Sequence, residues 1–202
     1  MDNIERFEEL LTATGREGVA ELLSFIRKSD FYTAPASTRF HSCHEGGLLE
    51  HSLCVFDCLI EKTKSDVWSK ALDGIDTSSL AIAALLHDIC KTYCYSIELK
   101  NKKVYSENGY KSDSNGRFDW QSVPSYTFND KMPLGHGEKS IIMISKYIEL
   151  TKPEMYAIRW HMGFSEPKES WNALSSSIRM HPLVLALHEA DLEATYLLEE
   201  NS

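Results

Sequence analysis

The chain has 202 residues, enough for one domain with a real core, and its 43% hydrophobic and 25% charged residues are ordinary for a globular protein. A formal charge of −9 at pH 7 speaks against a protein that coats long nucleic acid, because phosphate binding relies on clustered lysine and arginine. No apolar run approaches the roughly 20 residues of a membrane span, and MDNIERFEELL is no signal peptide. With five cysteines that read as reduced thiols (Cys43, Cys54, Cys58, Cys90, Cys94), a cytoplasmic protein with no membrane partner is expected.

Residues 3–29 read as two short helices, IERFEELL and EGVAELLSFIRK, divided near Thr14-Gly15. They form an N-terminal helical arm (1–37) without evident chemistry. The loop FYTAPASTRFHSCH gathers Arg39, His41 and His44 ahead of Gly46-Gly47. It reads either as a solvated loop or as a rim from which Arg39 or His44 reaches a phosphate. GGLLEHSLCVFDCLIEK is an amphipathic helix in which Leu48, His51, Val55 and Leu59 share a stripe, so an imidazole faces the core. Residues 62–77 read as a polar connection, with Asp76 or Thr77 as N-cap of the next helix.

That next stretch, SLAIAALLHDICK (79–91), is apolar from Ala81 to Leu86 and ends in His87-Asp88. A buried carboxylate without a partner costs several kcal/mol or takes up a proton, and a cation removes that cost. Helical neighbours point about 100° apart, so such a doublet can share one ion only near a helix end. The i, i+4 pairs Cys54/Cys58 and Cys90/Cys94 read as core packing; a zinc site built from both is the alternative.

After Lys91 the periodicity changes. YCYSIELKNKKVYSENG alternates, and SNGRF with FDWQSVPSYTFND reads as short strands joined by Asn/Gly turns, so a β-hairpin insertion is expected over about 95–130. Between 91 and 139 eight Lys/Arg face six Asp/Glu, a slightly basic stretch in an acidic chain. Its interleaved Tyr105, Tyr110, Trp120, Tyr126 and Phe128 suit either a flap that stacks a base or plain sheet packing.

Pro133-Leu134-Gly135-His136 opens a helix expected to run to about Leu150. The free N–H groups at its start suit a phosphate, and Lys139 lies one turn on. Pro153 restarts a helix that ends at His161, before Gly163. A short surface helix is expected at 171–178. His181-Pro182 then opens the last helix, which sets Asp191 on a stripe with Leu187, Ala194, Thr195 and Leu198. His181 and His188 have weaker claims as ligands, His188 as a support for Asp191.

The ordered set His51, His87-Asp88, His136, His161, Asp191, with GGLLEHS, AALLHDICK and LHEADLEAT as local texts, resembles the HD-domain superfamily of metal-dependent phosphohydrolases, in its two-metal subset. The resemblance spans about residues 38–198. It implies a mainly α fold, an HD-domain helical bundle carrying the small hairpin, as a single domain over 1–202. Cys90 stands where that family more usually has Gly, and little consequence is expected of it. The resemblance further implies that His51, His87, Asp88 and Asp191 hold one divalent metal and that Asp88 bridges to a second, held by His136 and His161.

Mixed N/O ligands suit Mn, Fe, Co, Ni or Zn. The reaction expected is hydrolysis of a phosphomonoester or phosphodiester bond in a nucleotide or short oligonucleotide by a metal-activated hydroxide. Asp88 and Lys91 are the catalytic candidates, and Arg39, His44, Lys91 and Lys139 would bind the anionic substrate. Two rivals share the ligand order: an HD-type di-iron oxygenase, and a catalytically silent nucleotide-binding sensor.

Overall fold

The run Leu80–Leu86 leaves no polar face on the helix that carries it, and such a helix must sit in the middle of a protein. In the computed structural model, which describes residues 1–39 and 42–199, it does: every side chain from Ser79 to Leu86 is buried. This is helix α5 (Thr77–Leu86), started by Asp76, whose carboxylate accepts the Ser79 N–H at 2.7 Å. Before it come α1 (Asn3–Ala13), α2 (Val19–Lys28), α3 (Gly47–Lys62) and α4 (Asp66–Ala71). After it come α6 (His136–Ile144), α7 (Lys152–Trp160), α8 (Trp171–Met180) and α9 (Leu183–Glu193). Helices α1, α3, α7 and α9 all pack on α5.

The expected N-terminal arm belongs to this core: Phe7, Leu11, Leu22 and Ile26 are fully buried in it. Arg16, between α1 and α2, forms an ion pair with the buried Glu154 of α7, and Ser79 of α5 donates to the same carboxylate at 2.6 Å. Two boundaries differ from the sequence expectation. Residues 66–71 form a short helix capped by Ser65, because Trp68 and Leu72 pack on the core and Lys62 lies over the Trp68 ring. Helix α6 stops at Ile144 and not near Leu150; the chain there turns back to lay Tyr147 against Phe25.

Between α5 and α6 the expected β insertion is a three-stranded antiparallel sheet, with β1 (Tyr95–Tyr105), β2 (Lys111–Asp113) and β3 (Gly116–Phe128) in the order β1-β3-β2. The β1–β3 register runs from Tyr95 opposite Phe128 to Tyr105 opposite Phe118. The protein is thus mainly α with one small sheet, and among the described residues no helix is long and apolar enough to cross a membrane.

Candidate metal centre

Helix ends deliver most of the site. His87 caps the C-terminus of α5 and His161 that of α7, and both use one device: the imidazole Nδ1–H donates to the carbonyl three residues back, Ala84 O at 2.8 Å and Ile158 O at 2.7 Å. Those carbonyls would otherwise be orphans of the helix end. A carbonyl can only accept, so Nδ1 carries a hydrogen, and Nε2 of each ring is the nitrogen that points inward and would offer its lone pair in the neutral form. His51, in the second turn of α3, has its Nδ1 2.7 Å from Glu199 Oε1. Two negative helix-dipole ends and several lone pairs thus converge on one place, an arrangement that favours a cation.

The separations are short. His51 Nε2 lies 3.3 Å from His87 Nε2, 3.2 Å from Asp191 Oδ1 and 3.7 Å from Asp88 Oδ2. The other oxygen of Asp88, Oδ1, faces His136 Nε2 at 2.6 Å and His161 Nε2 at 3.5 Å. Nε2 of His161 is buried and has no hydrogen-bond partner among the described residues. An unpaired buried imidazole nitrogen costs roughly 1–3 kcal/mol, and a metal ion is the partner its lone pair fits. His51, His87 and Asp191; His87, Asp88 and His161; and Asp88, Cys90 and His136 are groups that could hold a metal ion, with ligand atoms within 4.8 Å of one another.

Electrostatics agree with that donor set. Burial opposes the charged form of Asp88, but Lys91, His87 and His136 outweigh it and hold its pKa well below the ordinary value. Asp191 is likewise held low, against its burial, chiefly by His51. Burial would lower the pKa of His51, yet Asp191 and Glu199 raise it to about 9. His136 is also raised to about 9, against its burial, by Asp88. Protons stand in on these rings for the cation that the carboxylates attract.

The six expected ligands therefore meet. Packing helps: Gly137, next to His136, abuts the carbonyls of Ile158 and Arg159 so closely that any Cβ would collide, which seats the start of α6 on the end of α7. Lys91 reaches the same cluster, its Nζ 2.6 Å from Asp88 Oδ2. The other expected contacts with substrate divide. Arg39 is exposed and, with Lys100, Lys102 and Tyr126, lines a pocket of about 370 Å³ at the edge of β1. His44 is exposed and pairs with Glu50. Lys139 is buried on Asp130 at 2.6 Å and Cys94 at 3.2 Å, neither of them in the His/Asp cluster, so the helix turn carries it away from the expected phosphate position. His41 lies outside the described residues.

Two participants were not expected from the sequence, and a third, His188, was expected with another partner. Glu199 closes on His51 and accepts from Ser42 Oγ at 2.6 Å, brought back by a wide helical turn at Ala194–Leu198. Nothing in a terminal LEE text signals that. Cys90, expected to matter little, has its Sγ 3.4 Å from His136 Nδ1. His188 supports His161 and not Asp191: its Nδ1–H donates to the His161 carbonyl at 2.6 Å. His181 lies tilted against the Tyr156 ring, 4.8 Å between centroids, and belongs to none of the three groups that could hold a metal ion among the described residues. No protein-family model, curated protein or solved structure matches the chain.

Proposed function

We propose that this chain is an HD-type metal-dependent phosphohydrolase that cleaves a phosphomonoester or phosphodiester bond in a nucleotide or short oligonucleotide. The observation that carries the reading is the buried, unpartnered Nε2 of His161 beside a carboxylate already shared among His51, His87, His136 and Lys91. His51, His87, Asp88 and Asp191 would hold one divalent transition metal, and Asp88, His136 and His161 a second. Bound there, such ions supply an activated water and positive charge for the phosphoryl oxygens.

The chain's own residues do the remaining work. Glu199, Ala84 O and Ile158 O hold the protons of three imidazoles at Nδ1, so that Nε2 stays available. Lys91 has its side chain only 14% exposed and Asp88 as its counter-ion. When Asp88 is engaged elsewhere, that ammonium is free to bind a non-bridging phosphate oxygen. Arg39, Lys100 and Lys102 have no ion-pair partner among the described residues, and their pocket suits a further anionic group of the substrate. The exposed Trp120 and Phe128 of the sheet suit a nucleobase better than a long polymer, given the acidic chain.

The test combines metal analysis of the purified protein with a panel of nucleoside monophosphates, triphosphates, cyclic nucleotides and dinucleotides, assayed with Mn and Co under anaerobic conditions. His87→Ala and Asp88→Ala are expected to lose bound metal and to lower turnover at least about 100-fold. Unchanged metal content and unchanged hydrolysis in both variants would rule the reading out.

A further inference from the structure

Cys90 has no place in the ligand set that the family resemblance implies, yet the structure puts its thiol against that set. It lies in a short 3-10 turn just after Asp88 (Ile89–Lys91) and is 3% exposed. Its backbone N–H donates to Ser140 Oγ at 3.3 Å, and Ser140 donates to the His87 carbonyl at 2.6 Å, which fixes the turn that aims the side chain. Cys90 Sγ is 3.4 Å from His136 Nδ1 and 3.7 Å from His136 Nε2. A tetrahedral metal with bonds of about 2.3 Å to sulfur and 2.05 Å to nitrogen keeps those two donors about 3.6 Å apart. The thiol is therefore already at coordination spacing from the imidazole. His161 adds an independent sign of a ligand on this side, since its buried and unpartnered Nε2 faces the same Asp88 oxygen as His136.

We propose that Cys90 supplies a thiolate ligand to the metal position formed by Asp88, His136 and His161. The two halves of the centre then differ in chemistry: His51, His87 and Asp191 offer only nitrogen and oxygen, whereas the second half offers sulfur as well. Thiolate favours zinc, iron or cobalt over manganese and magnesium. The second position is consequently the selective one, and the pair of ions need not be alike. This rests on the metal-centre reading but not on the hydrolytic one, and it is read without substrate.

The experiment loads the metal-stripped full-length protein with Co(II) under reducing, anaerobic conditions and records its near-ultraviolet and visible spectrum as cobalt is added. The expected result is an intense thiolate-to-cobalt charge-transfer band. It should be lost in Cys90→Ser and kept in Cys94→Ser and in the double variant Cys54→Ser/Cys58→Ser, with each variant's helicity checked by circular dichroism. Wild type is also expected to retain zinc over manganese in competition, a preference that Cys90→Ser weakens about tenfold or more. Should cobalt bind stoichiometrically with no such band, or should the band follow Cys54 and Cys58, Cys90 is not a ligand, although the His/Asp centre survives. If no cobalt binds at all, the centre itself falls and Cys90 with it.

Discussion

The helical body and the sheet are built by opposite rules. In the body apolar side chains from α1, α3, α5, α7 and α9 interlock, and the few polar groups inside face one another, with Nε2 of His161 left over. In the sheet Phe118 is the one strand side chain, among the described residues, that counts as buried, while Ile97 is 65%, Leu99 73% and Trp120 51% exposed. The sheet holds by its backbone ladder and by local contacts such as Lys103 over the Phe118 ring at 4.4 Å. Its residues are therefore available to something outside the chain, whereas the body's buried polar residues mostly face one another. The body supplies the stability and gathers the groups that could hold a metal ion; the sheet leaves most of its side chains open.

The largest effect expected in the body is metal removal. A ligand present at a thousand times its Kd stabilises the folded state by about 4 kcal/mol, so chelation should lower the melting temperature clearly. The difference depends on pH, and its sign follows from the two raised imidazoles. Without metal, His51 and His136 have folded pKa values near 9 against an ordinary 6.5. Their contribution is complete below about pH 6.5 and disappears as pH rises through 9. Metal requires the same rings unprotonated and binds better as pH rises. The gap between loaded and stripped protein should thus widen from pH 6.5 to 9 in calorimetry. A gap that narrows over that range would contradict cation binding at these histidines.

Next in size is Glu154→Ala. This carboxylate is fully buried, paired with Arg16, accepting from Ser79, and bonded to the Thr151 N–H in the capping box of α7. Its removal strands a guanidinium and a hydroxyl at the joint of the α1–α2 linker, α5 and α7. The loss should be about 3 kcal/mol, or roughly 6–12 °C in melting temperature for a domain of this size. A comparable substitution on the sheet, Lys103→Ala, should leave the melting temperature nearly unchanged, because the ammonium and its partner Asp113 are open to water.

What could be read from the sequence follows the same division. His51, His87, Asp88, His161 and Asp191 stood out because each interrupts an apolar stripe, a local signal that survives folding unchanged. The strands were legible from alternation and the Asn/Gly turns. Glu154 was not singled out from the sequence, because its ties to Arg16 and Ser79 join residues far apart in the chain. Glu199 was not legible, since only the wide turn at Ala194–Leu198 brings it to His51. Lys139 misled for the converse reason. Spacing placed it one turn from His136, and tertiary packing gave it Asp130 and Cys94 instead. Helix α4, at six residues, is too short to show periodicity.

The sharpest way to break the comparison is to remove the sheet. Its two ends leave the body side by side: the Asn129 N–H donates to the Cys94 carbonyl at 2.8 Å, so a short Gly/Ser turn can replace residues 96–127 without stretching the chain. Tyr95 stays, because its hydroxyl donates to the Ala36 carbonyl and ties the root of the sheet to the loop before α3. Since the excised strands bury almost nothing of the body, the melting temperature should shift by the equivalent of less than about 1 kcal/mol, and the metal content should not change. Turnover of nucleotides should fall through a higher KM, as Lys100, Lys102 and Trp120 are lost, while an activated small phosphodiester without a base should be cleaved nearly as before. A protein that unfolds or loses its metal on this excision would show that the sheet is part of the body's stability, and the division drawn between the two would be wrong.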